Sequence, residues 1–185
     1  MKRLILLILI SSNMLVDSFS QTRLSDSFPY EDGEIIYTKI TQVDSIGKDE
    51  LFNRAKRWIA DSFNSAKDVI QHENKENGEI ICKGFFTTNW QINSMYSQEV
   101  NVWHTLRIQL KDNRTKVELY DIRLKYVVDL KEVDLSLENW IDSWDKSKKP
   151  PKQNDRDFIL SIDAKSKDQI NSIINSLSIK NKDDW

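Results

Sequence analysis

The feature that most constrains the fold is a strict alternation of apolar and polar side chains from Val100 to Lys111. Every second residue in this run is apolar or histidine, which is the period of a β-strand with one buried face and one solvated face. Asp112-Asn113-Arg114-Thr115 then predicts a turn into a further strand, Lys116 to Val127. The two segments therefore form an antiparallel hairpin.

A second hairpin is predicted upstream at Asn77-Gly78, because both residues tolerate positive φ and this pair is the strongest short hairpin signal. It joins the predicted strands Ala66–Glu73 and Glu79–Thr88. An earlier strand is predicted where Ile35 to Val43 supply β-branched and aromatic residues. Together these segments indicate an antiparallel sheet of about five strands.

Helical periodicity marks three other segments. Lys48–Phe63 has an apolar stripe with charged residues on the opposite side, and Leu137–Trp144 predicts a short helix stopped by Pro150-Pro151. Ser166-Lys167-Asp168-Gln169 has the form of a capping box and predicts the start of a final helix. The order strand, helix, four strands, helix predicts an α+β fold with a C-terminal helical extension.

The first residues have the three-part pattern of a secretory signal peptide. Lys2 and Arg3 are followed by the apolar run Leu4–Ile10, and Ser18-Phe19-Ser20 offers small residues for cleavage after Ser20. The apolar stretch is shorter than the roughly 20 residues that a membrane span needs, although a retained signal anchor is the alternative. We therefore expect an exported protein, periplasmic or secreted, with no membrane span after cleavage. No cysteine lies near the junction, so a lipoprotein is not expected.

Charge and cysteine content narrow the function classes. Removing residues 1–20 takes two of 27 basic and one of 29 acidic side chains, which leaves a net charge of −3. A weakly acidic chain lacks the basic face that nucleic acid requires. Cys82 is the single cysteine and excludes an internal disulfide. The pattern indicates a mature domain that is stabilised by packing.

Three strings in order resemble a family of exported bacterial proteins. They are Glu31–Lys39 (EDGEIIYTK), Asp49–Trp58 (DELFNRAKRW) and Ser65–Gln71 (SAKDVIQ). The family is a domain of unknown function with a fold like the TATA-box-binding protein (TBP). The resemblance implies an antiparallel sheet covered on one face by two helices, a Gram-negative source and an envelope address; it brings no catalytic residues. It divides the chain into a signal peptide (1–20), a lead-in (21–30), a TBP-like domain (31–127) and a C-terminal extension (128–185). The fold's name does not imply DNA binding, because fold does not carry function.

Imidazole chemistry could use only His72 or His104. A two-residue loop at Asn77-Gly78 would place Glu73 opposite Cys82, which puts His72 and Cys82 on opposite faces and excludes a dyad. We interpret Cys82 as a small buried apolar residue.

The surroundings of His104 depend on the register of its hairpin. A strict register closed on Asn113-Arg114 would gather His104, Asp121 and Arg123 on an apolar face. The favoured alternative is a β-bulge near Tyr120, which turns Ile122, Leu124 and Tyr126 inward and sends Asp121 and Arg123 outward. His104 is then a packed or rim histidine.

Surplus aromatic side chains are the remaining functional signal. Trp103 and Arg107 share one strand face, where a ring and a guanidinium could hold an envelope protein, a peptide or a glycan, and Trp90 is a further candidate. The alternative is that Trp103 packs under Trp140 or Trp144 of the extension. No metal-ligand spacing or phosphate loop is present in the sequence, and no cofactor is expected. The favoured function is a non-enzymatic binding or assembly module of the periplasm or envelope; the alternative is a carboxylate-based hydrolase.

Overall fold

A computed structural model describes residues 23–178 of the chain, so the predicted signal peptide lies outside the described residues. A 3₁₀ turn at Ser25–Ser27 precedes the regular elements. The strands are β1 (Tyr30–Glu31), β2 (Glu34–Ile35), β3 (Tyr37–Gln42), β4 (Ile70–Asn74), β5 (Glu79–Gln91), β6 (Ser97–Lys111), β7 (Arg114–Val128) and β8 (Lys131–Ser136). The helices are α1 (Lys48–Ser62), α2 (Ala66–Val69), α3 (Leu137–Asp145) and α4 (Gln153–Ser178).

Six strands form one antiparallel sheet in the order β3-β7-β6-β5-β4, with β8 paired to the second half of β7. Strands β3 and β8 therefore lie along the same edge of β7, one beyond the other. β1 and β2 form a separate two-stranded ribbon. The predicted α+β class is confirmed, and the sheet is one strand larger than expected because β8, within the predicted extension, completes its edge.

One face of the sheet forms the core. The alternation that predicted β6 is confirmed, since Val102, His104 and Leu106 are buried while Trp103 and Arg107 remain partly exposed. Helices α1, α3 and α4 pack on the buried face. The expected placement of helices on one face follows from this period of two, which leaves the opposite face polar.

The helix predictions are right for α1 and α3 and wrong for the start of α4. α4 begins at Gln153, so Ser166 lies inside it and is fully buried. Phe158, Ile159 and Ile162 extend the apolar stripe upstream. Their burial against the sheet stabilises a helix that continues through Ser166, although the sequence there resembles a capping box.

The first hairpin differs from its prediction in two ways. Residues 66–69 form α2, which begins with Ser65 accepting a hydrogen bond from the Asp68 amide, so the strand starts at Ile70. Asn74 pairs with Glu79, which gives a loop longer than two residues. His72 consequently faces Ile81 and is exposed, whereas Cys82 is fully buried. The predicted placement of His72 and Cys82 on opposite faces is confirmed, although the predicted register was wrong.

The second hairpin contains the expected bulge. Lys111 pairs with Arg114, so the turn is Asp112-Asn113 rather than Asn113-Arg114, and the register shifts between Trp103 and Thr105. Asp121 has a φ of 54° at this shift, and Ile122 and Leu124 are fully buried beyond it. A bulge is thus preferred over a polar site at His104, because it buries large apolar side chains.

Candidate functional site

The sheet face opposite the helices carries mostly charged side chains that pair with one another. Its ion pairs are Lys83–Asp121 (3.1 Å), Arg107–Glu79 (2.8 Å), Lys116–Glu118 (2.6 Å) and Arg123–Asp134 (2.7 Å). Within residues 23–178 no helix covers these strands on this side, and most of their side chains are partly or fully exposed. We call this surface the open face. Its charges largely neutralise each other, so it is no electrostatic match for a polyanion.

An aromatic pair interrupts the charged pattern of the open face. Phe85 on β5 and Trp103 on β6 are directly opposite, with ring centroids 4.9 Å apart. The Lys125 ammonium lies 5.0 Å from the centre of the Trp103 ring, within reach of a cation–π contact. Phe85 is 45% exposed, which is unusual for a large aromatic residue within a strand. The pair offers an apolar surface with a cation at its border.

A cavity of about 470 Å³ is the largest of those described, but it lies elsewhere, between the lead-in and α4. Several of its polar groups already have partners in the chain. Tyr37 donates a 2.9 Å hydrogen bond to Asp163, and the Lys39 ammonium donates to Asn171 at 2.6 Å. Burial and the Asp163 carboxylate raise the pKa of Tyr37 well above its ordinary range. We therefore assign this region a structural role.

A cavity of about 360 Å³ borders the aromatic pair. Its lining combines α2 and the segment before it with the middle of β5 and one residue of β6. The residues are Ser62, Phe63, Asn64, Ser65, Asp68, Val69, Lys83, Gly84, Phe85 and Trp103. A side chain at Gly84 would displace the Phe63 ring, because a Cβ atom would lie 2.3 Å from it. The cavity provides room for a side chain beside Phe85.

The structure separates the three residues that the sequence proposed for binding. Trp103 and Arg107 lie on the open face, and the expectation that Trp103 packs under Trp140 or Trp144 is wrong, because those residues pack on the covered side. Arg107 donates to Glu79, and this hydrogen bond raises the pKa of its guanidinium further. Phe85 was missed, although its alternation with Lys83 and Thr87 could have placed it on this face.

Trp90 lies on the covered face within an aromatic cluster. Its ring stacks on Phe158 at 5.5 Å and meets Trp140 and Tyr126 edge-on at 5.1 Å and 6.0 Å. Its indole N–H donates to Asp155 at 2.9 Å. Trp90 therefore does not share a surface with Trp103 and Arg107.

His104 and Cys82 are both buried in the core. Burial lowers the pKa of His104 to about 4, and the neutral ring donates through Nδ1 to the Val102 carbonyl at 3.2 Å. Phe86 packs against it with centroids 5.4 Å apart. Burial also raises the pKa of the Cys82 thiol to about 12. His104 is the packed histidine of the favoured alternative, and neither group is placed for surface chemistry.

The hydrolase alternative requires two carboxylates that converge in a cleft. Each of the five cavities described in residues 23–178 is lined by at most one acidic side chain. Two carboxyl groups, Asp134 and Asp145, have shifted pKa values, and both are lowered. Burial alone would raise each pKa, but hydrogen bonds from Arg123 to Asp134 and from Ser25 to Asp145 outweigh that effect. In the same residues no cluster of three His, Cys, Asp or Glu side chains could hold a metal ion. The cavities described in residues 23–178 therefore offer no pair of converging carboxylates.

An antiparallel sheet with helices packed on one face defines an α+β domain. The family model "Domain of unknown function (DUF4468) with TBP-like fold" matches residues 37–125 of the chain.

Two solved structures have the same fold. A DUF4468 family protein from Bacteroides ovatus is 17% identical, with a TM-score of 0.63 over 84% of this chain and 93% of that one. A TBP-like protein from Parabacteroides distasonis is 19% identical, with a TM-score of 0.63 over 82% and 97%. No curated protein matches the chain. Within the described residues, no helix has the length and apolar character of a membrane span.

Proposed function

We propose that this protein is an exported, non-enzymatic binding module of the bacterial envelope, and that it holds its partner on the open face around Phe85 and Trp103. The exposed aromatic pair carries this proposal. Exposing a large aromatic ring to water is unfavourable unless a partner covers it, and aromatic residues are enriched at the centres of interfaces.

The surroundings of the pair favour a protein or peptide partner. The neighbouring ion pairs are satisfied within the chain, so they form a polar rim rather than a site for one strong charge. Polar side chains of the Ser62–Ser65 segment border the aromatic surface and can hydrogen-bond to a backbone. An apolar centre with a polar border is the usual anatomy of a transient protein interface.

Site-specific photo-crosslinking tests the binding surface. A photoreactive phenylalanine at Phe85 should yield an adduct in cells that export the protein. Ile40 provides the matched control, because it lies on the same face at the other end of the sheet and is 51% exposed, against 45% for Phe85. We expect an adduct from position 85 that Trp103→Ala removes, and none from position 40. Equal labelling at both positions, or no adduct from position 85, would contradict the proposal.

Export is tested separately. The positive Lys2-Arg3 and the apolar Leu4–Ile10 support it, as does the small-residue sequence Ser18-Phe19-Ser20. We expect the protein in the periplasmic or secreted fraction with Gln21 as its first residue. An intact Met1 in the envelope fraction would show a retained leader instead.

A further inference from the structure

Half of β5 has no partner along one edge. β4 pairs with β5 only from Glu79 to Cys82, and within residues 23–178 no strand pairs with the same edge from Lys83 to Gln91. β6 pairs with the other edge along the whole length of β5. An unpaired strand edge presents a row of backbone donors and acceptors that another strand can extend.

Two hydrogen bonds show which residues of β5 face that edge. The Leu110 amide donates to the Gly78 carbonyl at 2.7 Å, so even-numbered residues direct their backbone groups towards β6. The register between β5 and β6 is unbroken, which makes the odd-numbered residues face away from β6. The direction of the Thr87 carbonyl is consistent with this assignment, because it accepts a 2.7 Å hydrogen bond from the Lys165 ammonium on the side away from β6. Phe85, Thr87 and Asn89 therefore present both N–H and C=O to the free edge.

The free edge lies between two walls with space beside each. Near Lys83–Phe85 the wall is the Ser62–Ser65 segment, across the cavity of about 360 Å³ that borders Phe85. Near Thr87–Gln91 the wall is α4, across a cavity of about 390 Å³ that Asp157, Ser161 and Lys165 help to line. In a second copy of this protein the same β5 edge would also lie between these two walls, so two such edges could not easily meet. The recess therefore fits a single extended chain better than another sheet.

We infer that the free edge of β5 receives an extended segment of a partner protein as an added strand. The inference rests on the proposed function, because it gives the form of the partner that the open face holds. Every second side chain of an added strand would lie on the open face, and an apolar one beside Phe85 would cover the exposed ring. Its backbone N–H would replace Lys165 on the Thr87 carbonyl, which frees the ammonium to pair with an acidic side chain of the segment.

The probe is a displayed library of short peptides without proline, with alternating apolar and polar positions and one fixed acidic position. Selected peptides are titrated against Thr87→Pro and its matched control Thr87→Val. Both substitutions remove the hydroxyl that donates to Asn101, but only proline removes the edge N–H. We expect proline to weaken binding by about tenfold or more and valine by less than about twofold.

Amide hydrogen exchange provides a readout that does not depend on any variant folding. A bound peptide should slow exchange at Phe85, Thr87 and Asn89 and change little at Phe86 and Thr88, whose amides already point to β6. Lys165→Glu should weaken the acidic peptides and spare versions with glutamine at the fixed position. Uniform protection, or equal binding by the two Thr87 variants, would overturn strand addition.

Trp103→Ala in the same titration separates the two proposals. Loss of binding with Trp103→Ala but not with Thr87→Pro would keep the open-face site and exclude strand addition. Loss with Thr87→Pro alone would keep the edge and contradict the open face. The absence of any selected binder, together with a Phe85 adduct in cells, would also reject the extended-strand form of the partner.

Discussion

Trp90 and Asp155 join the central sheet to the start of α4. The indole N–H donates to one carboxylate oxygen at 2.9 Å, and the Lys152 amide donates to the other at 3.3 Å. Asp155 is buried, so both oxygens are satisfied without bulk water. Because it lies in the first turn, its negative charge also suits the helix dipole.

Asp155→Ala should therefore lower the free energy of unfolding by about 2–3 kcal/mol, since it leaves a buried indole N–H without an acceptor and removes the carboxylate from the first turn of α4. Urea denaturation measures the change. The control is Asp157→Ala, two residues further along α4. It removes only an exposed hydrogen bond with Gln153 and should cost less than about 0.5 kcal/mol. Equal losses would show that the buried carboxylate is not special.

His104 should make the folded state less stable in mild acid. Its pKa is lowered to about 4 in the folded protein against an unfolded value near 6.5, so the unfolded state binds the proton more readily between these values. The stability that neutral His104 contributes is therefore fully present above pH 6.5. About 3 kcal/mol of it is lost as the pH falls towards 4.

The variant His104→Leu should flatten that part of the stability profile, whereas His72→Gln, which alters an exposed histidine, should not. Denaturation midpoints measured across pH 4 to 7 test this. If the slope survives in His104→Leu, the acid sensitivity has another source.

Gly78 should tolerate substitution much less well than Gly33, although both have positive φ. Gly78 has a φ of 65°, and an added Cβ would lie 2.2 Å from the Leu110 carbonyl oxygen. Gly33 has a φ of 88° and nothing within 4 Å of that position. We expect Gly78→Ala to cost about 2–4 kcal/mol and Gly33→Ala about 1 kcal/mol, measured by thermal and urea unfolding. A similar cost for both would mean that the positive φ, and not the contact with Leu110, determines the loss of stability.

Leu130 is a site where substitution should stabilise the protein. Val128 pairs with Lys131, and the two turn residues Asp129 and Leu130 both have positive φ, 48° and 63°. Leucine is disfavoured in that conformation, and an Asp-Gly pair suits such a turn. Leu130→Gly should raise the free energy of unfolding by about 0.5–1 kcal/mol. Met95→Gly is the control, because its side chain is also almost fully exposed, and it should give no gain.

The period of two along β6 was enough to predict which side chains face the core, although Thr105 on the opposite face is also buried. The cost of exposing Ile122 and Leu124 was enough to predict a bulge near Tyr120, and it lies at Asp121. The turn positions were not predictable to the residue. Hairpin register depends on the loop that the flanking strands accept, and Asn77-Gly78 lies inside a longer loop. Of the aromatic pair, the sequence predicted only Trp103, whose face follows from the alternation along β6. Phe85 becomes its neighbour through the β5–β6 register, which the sequence did not specify.

The sequence by itself determined the α+β class, the α1 stripe, the buried positions of His104 and Cys82, and the face that carries Trp103 and Arg107, because each follows from local periodicity. Tertiary structure decided what no local pattern contains. The start of α4 depends on burial against the sheet, and Trp90 packs in a cluster with residues distant in the chain. The edge of β5 beyond Cys82 is free because β4 begins only at Ile70, which pairs with Cys82. These features arise from contacts between distant segments, whose free energy outweighs local preference.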